Sequence, residues 1–271
     1  MAASNPIRRS VQAGPSGAAA TDRKFMTALA RGLEVLRCFG PRDRWLAMPE
    51  IVRRTGLSKP TVSRVVFTLT QLGYLRYSTV LRKYALGSAS VALGYSALAQ
   101  QDIRRVARPA MQALSEQTSA AVHLSIPHRH SMIVIDTYRN SASFAVDIGS
   151  RVPIATTAMG RAFVSSLPPP ERARMLEELR AARPEDWPQL KKAFEVALRE
   201  YQEHGYCLGL GDWRRDVNGI AVPLALDDDS DQVVFTCSGA GFQLTPDLLR
   251  RELGPRLLTL VGNVRSALTT D

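Results

Sequence analysis

Residues Thr55 to Val66 read TGLSKPTVSRVV, and this run limits the possible folds more than any other stretch of the 271-residue chain. Val62, Val65, Val66 and Leu69 recur at i, i+3, i+4 and i+7, the spacing of one buried helix face. Thr61, Arg64, Thr68 and Gln71 occupy the other face. Ser58 predicts an N-cap, and Pro60 fits a first turn, where its missing N–H needs no intrahelical partner. Upstream, Pro49, the inward-facing pair Ile51 and Val52, and a closing Gly56 predict a short helix after Met48. Two short helices joined by a glycine-containing turn predict a helix-turn-helix, whose second helix enters the major groove by its N-terminal residues. Ser58, Lys59, Thr61, Ser63 and Arg64 lie at that end. Arg64 is the candidate for bidentate contact with guanine, and Lys59 and Ser58 are candidates for phosphate.

Charge is placed to match. Residues 1–100 hold 15 Lys and Arg against 4 Asp and Glu, whereas residues 101–271 hold 20 against 21, so the net +10 belongs to the first third. A basic region joined to a near-neutral one is the electrostatic footprint of a nucleic-acid reader attached to something else. A basic surface kept for solubility would spread over both halves. Gly73–Tyr77 and Tyr84–Leu86 read as short strands around a loop carrying Arg82 and Lys83. With Arg76, these cations form a wing suited to backbone contact, each neutralised phosphate adding salt sensitivity. Before this unit, Leu29, Leu33, Leu36 and Phe39 mark a helix over Met26–Phe39, ended by Gly40-Pro41.

The flanks bound the rest. Met1–Ala20 lacks an apolar core behind Arg8 and Arg9, so it predicts a disordered tail (residues 1–24) rather than a signal peptide. No stretch approaches the roughly 20 apolar residues that span a bilayer. Three widely spaced cysteines, Cys38, Cys207 and Cys237, give no disulfide framework and fit a reducing cytoplasm. Ser90–Gln101 predicts a helix with little charge, which needs a cover, and a partner chain supplies one. Ile103, Val106, Ala107, Ala110, Met111 and Leu114 continue at helical spacing, with Pro109 predicting a kink or a new start.

From Ala121 the period changes. Ala121–Ile126, Met132–Thr137, Phe144–Ile148, Ile220–Leu226 and Gln232–Ser238 read as strands, with turn signals at Pro127-His128 and Asp227–Asp231. Helices are predicted near Thr157–Ser166, Pro170–Leu179, Gln189–His204 and Pro246–Leu268, the last capped by Thr245. The fold class is therefore α+β with a mainly antiparallel sheet. Domains are expected at 25–87 (winged helix-turn-helix), 88–101 (linker and dimerisation helix) and 102–271.

No nucleophile elbow, phosphate-binding P-loop, zinc-protease helix or paired-cysteine motif occurs, and Gly209-Leu210-Gly211 is a lone fragment of a dinucleotide fingerprint. His128 and His130 flank Arg129 at a predicted hairpin tip; His123 and His204 read as hydrogen-bonded structural residues. No catalysis, cofactor or metal site is expected. Thr156 or Thr157 predicts a cap for the helix that follows, leaving N–H groups at its start as a carboxylate receptor.

The pattern ALARGLEVLRCF, IVRRTGLSKPTVSRVVFTLTQLGYLRY and KYALGSASVALGYSAL resembles the isocitrate lyase regulator (IclR) family of bacterial transcription factors over roughly residues 25–268. The opening FMTALARGLEVL is similar to the branch that controls aromatic-acid catabolism. The resemblance implies a GAF-like effector domain in the C-terminal region. Its pocket would be lined by Phe144, Ala158, Met159, Gly219, Thr236 and Ser238 and would take a small organic acid, aromatic acids being among the candidates. It also implies pairing through the DNA-binding domains and linker helices, as a homodimer or a dimer of dimers, on a pseudo-palindromic double-stranded operator. The chain departs from the family pattern at Cys207–Trp213, Asn218-Gly219 and Ala181–Pro188. Trp213 is open to two roles, as a pocket wall or as packing beneath a loop. The expected function is a cytoplasmic DNA-binding regulator of a catabolic operon under effector control, acting as repressor or activator. The rivals are a ligand-independent DNA binder and an enzyme with an appended DNA-binding module.

Overall fold

A computed structural model describes residues 24–118, 120–139, 146–225 and 232–269. Nearly all of the expected N-terminal tail and all of the Asp227–Asp231 turn lie outside the described residues, as does Phe144. The chain divides into two compact units at Gln100/Gln101.

In the first unit, α1 (Thr27–Arg37) precedes β1 (Leu46–Ala47), α2 (Met48–Thr55) and α3 (Lys59–Gln71). Strands β2 (Leu75–Ser78) and β3 (Lys83–Leu86) follow, then α4 (Ser88–Ala99). Gly56 closes α2 in the left-handed region at φ +69°, and its N–H donates to the Val52 carbonyl. A side chain there would be strained, which is why the turn takes glycine. The core joins Val35, Phe39, Leu46 and Ile51 to Val62, Val66, Leu69 and Leu75. Each such side chain contributes about 1.5–3 kcal/mol on burial, so the valine face of α3 anchors it.

Several details differ from expectation. Ser58 occupies the N-cap position with extended backbone, but its hydroxyl makes no capping bond; it lies 3.0 Å from Thr61 Oγ1 instead. Lys83 belongs to β3 rather than to the wing loop, while Arg82 holds the turn at φ +51°. β1, a two-residue strand too short to signal itself, pairs antiparallel with β3. In α1 Val35 is fully buried and Leu36 packs against the core, whereas Leu29 and Leu33 stay 58% and 50% exposed. The stripe therefore divides: Leu36 and Phe39 meet the core, and Leu29 and Leu33 face away from it.

The second unit opens with α5 (Asp102–Gln117), which contains Pro109 and is one continuous helix; no new helix starts there. The hairpin β4 (Ala121–His128) and β5 (Ser131–Tyr138) follows. Pro127 and His128, expected as a turn, extend β4, and the turn is Arg129–His130, with Arg129 at φ +53°. The predicted strand ending at Ile148 is not found over Val146–Ile148; the pairing is made instead by β6 (Arg151–Pro153) against β5. Next come α6 (Ala158–Ser166), α7 (Pro169–Ala182), α8 (Trp187–His204), β7 (Cys207–Leu210), β8 (Val217–Leu224) and β9 (Val233–Ala240). The C-terminus is α9 (Pro246–Leu248), a π-helical turn over Leu249–Leu253, and α10 (Gly254–Leu268), so the predicted last helix runs over its full expected length with one π-helical turn inside it. Thr245 caps it as expected, accepting from the Leu248 N–H at 3.3 Å.

The six strands form one sheet in the order β6-β5-β4-β9-β8-β7, and every pairing is antiparallel. Alternation along β8 sends Ala221 to the face covered by α6 and α8, and Ile220 to the opposite face against Gly254 of α10. Both sheet faces are thus dry, as the unbroken apolar run IAVPL requires. The three cysteines are buried and unpaired, and burial pushes each thiol up to about 12, far from the reactive thiolate.

Candidate nucleic-acid interface and effector site

The candidate DNA-facing surface follows from what α3 buries. Val62, Val66 and Leu69 are at most 8% exposed, which turns the arc carrying Lys59, Ser63 and Arg64 to solvent. Thr61 is half-buried at its edge. From Ile51 to Gln101 the sequence carries seven Lys and Arg and no Asp or Glu, so no carboxylate within this stretch repels phosphate. In the wing, Arg76 is exposed with its guanidinium stacked 4.6 Å from the Trp45 ring centroid. That contact orients the cation while leaving its donors open. Arg82 is exposed and Lys83 half-buried. All eight residues read as DNA contacts therefore lie on α3 or the wing of one unit.

The turn geometry is held from behind. Arg54 bonds both carboxylate oxygens of Asp43 and donates to the Cys38 carbonyl at 2.9 Å, tying the end of α2 to the segment after α1. The Arg54 hydrogen bond is also what holds the Asp43 carboxyl below its ordinary range.

In the second unit, strand register assembles a polar row on the sheet face beneath α6. Thr137, His123, Thr236 and Ala221 are successive cross-strand partners on β5, β4, β9 and β8. Two residues along on the same face, Ser238 pairs with Gly219, which pairs with Gly209. His123 is fully buried, with Nδ1 2.8 Å from Thr137 Oγ1 and Nε2 2.9 Å from Ser238 Oγ. Burial lowers its pKa to about 4, with the Arg139 charge adding to the effect, so the imidazole is neutral at physiological pH. Thr236 Oγ1 is buried without a protein partner. An orphaned buried hydroxyl costs about 1–3 kcal/mol, and it needs a ligand atom or a water.

The start of α6 meets this face. Thr157 caps it by accepting from the Gly160 N–H at 3.2 Å, which settles the choice between the two threonines. Ala158 and Met159 are 6% and 5% exposed. A Cβ on Gly209 would stand 3.0 Å from the Ala158 nitrogen, so glycine there keeps this helix start clear. A Cβ on Gly219 would press on Ser238, 3.3 Å from its Cβ. Arg161, one turn further on, is 7% exposed and donates to Asp212 at 2.8 Å, fastening the β7–β8 loop to α6. Trp213 in that loop packs against the α6 core. Of the six predicted effector residues, Ala158, Met159, Gly219, Thr236 and Ser238 thus belong to α6 or the sheet face it covers, and Phe144 lies outside the described residues. His123, read from the sequence as a hydrogen-bonded structural residue, is one, but its place in this polar row was not foreseen, and Thr137 and Arg161 were missed by sequence reasoning. The His123–Ser238 bond spans 115 residues and leaves no local trace. His130, at the predicted hairpin tip, sits 3.4 Å from Glu178. Among the described residues no group of three His, Cys, Asp or Glu is placed to hold a metal, and no helix is long and apolar enough to cross a membrane.

A basic winged helix-turn-helix joined to a charge-balanced α+β unit is the architecture of a DNA-binding transcription regulator. The chain belongs to the IclR family: residues 28–79 match the IclR helix-turn-helix domain, and residues 95–248 match the bacterial transcriptional regulator IclR C-terminal domain. It is similar to the HTH-type transcriptional regulator TsaQ1/TsaQ2 of Comamonas testosteroni, 32% identical over 88% of this chain and 87% of that one. It is also similar to the crystal structure of an IclR family transcriptional regulator from Brucella abortus. That match has 43% identity and a TM-score of 0.81, covering 94% of this chain and 97% of the other. The fold is shared with an IclR homolog from Microbacterium hydrocarbonoxydans solved in complex with 4-hydroxybenzoate, at 18% identity and a TM-score of 0.70 over 90% of this chain and all of that one.

Proposed function

We propose that this regulator is a cytoplasmic homodimer, or a dimer of dimers, that controls a catabolic operon in response to a small organic acid bound in the second unit. One observation carries the effector reading: Thr236 Oγ1 lies buried and unpartnered beside Ser238, on the sheet face closed by the start of α6. A carboxylate there would take the Thr236 hydroxyl, the Ser238 hydroxyl and the N–H groups of Ala158 and Met159, at the positive end of the helix. The dry walls supplied by Met159 and its neighbours suit an aromatic ring, and 4-hydroxybenzoate in the Microbacterium homolog is an acid of that kind.

The same chemistry explains control. An effector shifts the regulator between two states only through its differential affinity for them, and about 1.4 kcal/mol of that difference changes operator affinity tenfold. The pairing reading rests on α1 and α4. Met26 at the N-cap of the first with Leu29 and Leu33 on it, and Val91, Leu93 and Tyr95 on the second, are each at least 50% exposed. Helix α4 has no charged residue and no buried one. A second copy would cover this surface, and its two-fold axis would call for a pseudo-palindromic operator.

Thermal shift of the full chain against a panel of aromatic and short-chain carboxylic acids tests the effector reading. At least one acid raises the melting midpoint and changes operator affinity, and Thr236→Val with Ser238→Ala abolishes both responses while leaving DNA binding intact. A panel with no shift, or a shift untouched by the double variant, overturns the assignment.

A further inference from the structure

Helix α3 carries an aromatic side chain that the fold does not use. Phe67 is 65% exposed and stands outside the first unit's core. At about 100° per residue, Pro60, Arg64, Phe67 and Gln71 fill the arc opposite Val62, Val66 and Leu69. All four are exposed. Phe67 therefore sits on the outermost line of the recognition helix, one turn after Arg64, amid a stretch of seven cations and no acids.

We infer that Phe67 is a specificity-determining residue of the operator contact, reading the C5-methyl group of a thymine in the major groove. This rests on α3 being the helix that enters the groove. The edges of base pairs offer a helix in that groove donors, acceptors and one apolar group, the thymine methyl. A phenyl ring cannot stack there, because base faces are hidden within the duplex, and it gains nothing against N7, O6 or an exocyclic amine. The methyl is its one matching partner. Position follows from helix rise: Phe67 lies about 4.5 Å along the axis from Arg64, against about 3.4 Å per base pair. The thymine is thus one or two base pairs from the guanine that Arg64 contacts. Deeper approach by the ring also sheds water from the groove, so the contact favours A·T pairs at that position without a hydrogen bond.

The test uses the full-length protein and duplexes selected by it from a random library. Selected sites carry a thymine within two base pairs of the guanine whose preference is lost in Arg64→Ala. Replacing that thymine with deoxyuridine, which lacks only the methyl, weakens wild-type binding about fourfold, the value of one buried methyl group. Phe67→Ala weakens binding to the thymine site about tenfold and binds thymine and deoxyuridine sites equally. Phe67→Leu keeps part of the discrimination. Melting midpoints near wild type show that the variants fold, and sedimentation shows the same oligomer. Equal wild-type affinity for the thymine and deoxyuridine sites overturns the inference, as does dissociation of Phe67→Ala into smaller species, which would make Phe67 a subunit contact. Unchanged affinity and selectivity in Arg64→Ala would instead remove the recognition-helix reading on which it rests.

Discussion

Arg54 Nη2 lies 3.0 Å from Asp43 Oδ1 while Nη1 bonds the other carboxylate oxygen, so one guanidinium closes the loop between α1 and the helix-turn-helix. Asp43 also accepts the Gly40 N–H at 2.9 Å. Both side chains are a quarter exposed, which places the pair between surface and buried cases, at about 1–2 kcal/mol. Asp43→Ala is expected to lower the melting midpoint accordingly and to weaken DNA binding through a looser α2. The Asp43 carboxyl is held below its ordinary value, so its stabilisation is complete above about pH 4 and is lost as pH falls through the lower folded value. Acid unfolding followed by circular dichroism should show a flatter acid limb in Asp43→Asn.

Base reading and phosphate contact separate experimentally. Arg64→Ala is expected to cost about 1–3 kcal/mol and to relax base preference at one position. Arg82→Ala should weaken all sequences alike and reduce the slope of log affinity against log salt by about 1. Fluorescence anisotropy at several salt concentrations measures both. Equal loss of selectivity in the two variants would reverse these roles.

Leu33→Glu places a charge on the exposed edge of α1, and Tyr95→Glu does the same on α4. Neither touches its own unit's core, so each monomer should stay folded while the dimer dissociates. Analytical ultracentrifugation should show the shift, with operator affinity falling at least tenfold as half-sites bind independently. Dimers that persist in both variants would place the interface elsewhere.

His123 gives the second unit a pH signature. Its folded pKa of about 4 lies below the ordinary histidine value, so between roughly pH 4 and 6.5 the unfolded chain binds the extra proton. Stability contributed by the neutral imidazole is present above about pH 6.5 and declines as pH falls through that window, by on the order of 3 kcal/mol in all. His123→Asn should abolish the decline, read as melting midpoint against pH, while retaining one bond of the Thr137–Ser238 bridge.

The helix-turn-helix was legible because its signals are local: glycine at the left-handed turn, proline in first turns, valines at helical spacing. So were the main antiparallel strands, whose β-branched runs need no knowledge of their neighbours. β7 was not legible: Cys-Leu-Gly-Leu has weak strand preference and is set by pairing with β8. The leucines of α1 mislead in part, since periodicity marks an apolar face but not what covers it; Leu36 packs on the core beside Val35, which lies off the stripe, while Leu29 and Leu33 stay exposed. At the proposed effector site the threonine and serine of β9 share a face by simple alternation. The imidazole that joins Ser238 to Thr137 depends on β4 lying between β5 and β9, which only the folded sheet reveals.

Gly160, in the first turn of α6, has no room for a side chain. A methyl group added there would come within 2.2 Å of the Ile154 carbonyl oxygen, so the backbone of α6 rests directly on the chain leaving β6, with no side chain between them to yield. The two segments form a hard joint. Pressure on the first turn of α6 has to be relieved by moving the sheet margin at Arg151–Pro153 as one piece with the helix, and a softer residue at this point would absorb the push before it travelled.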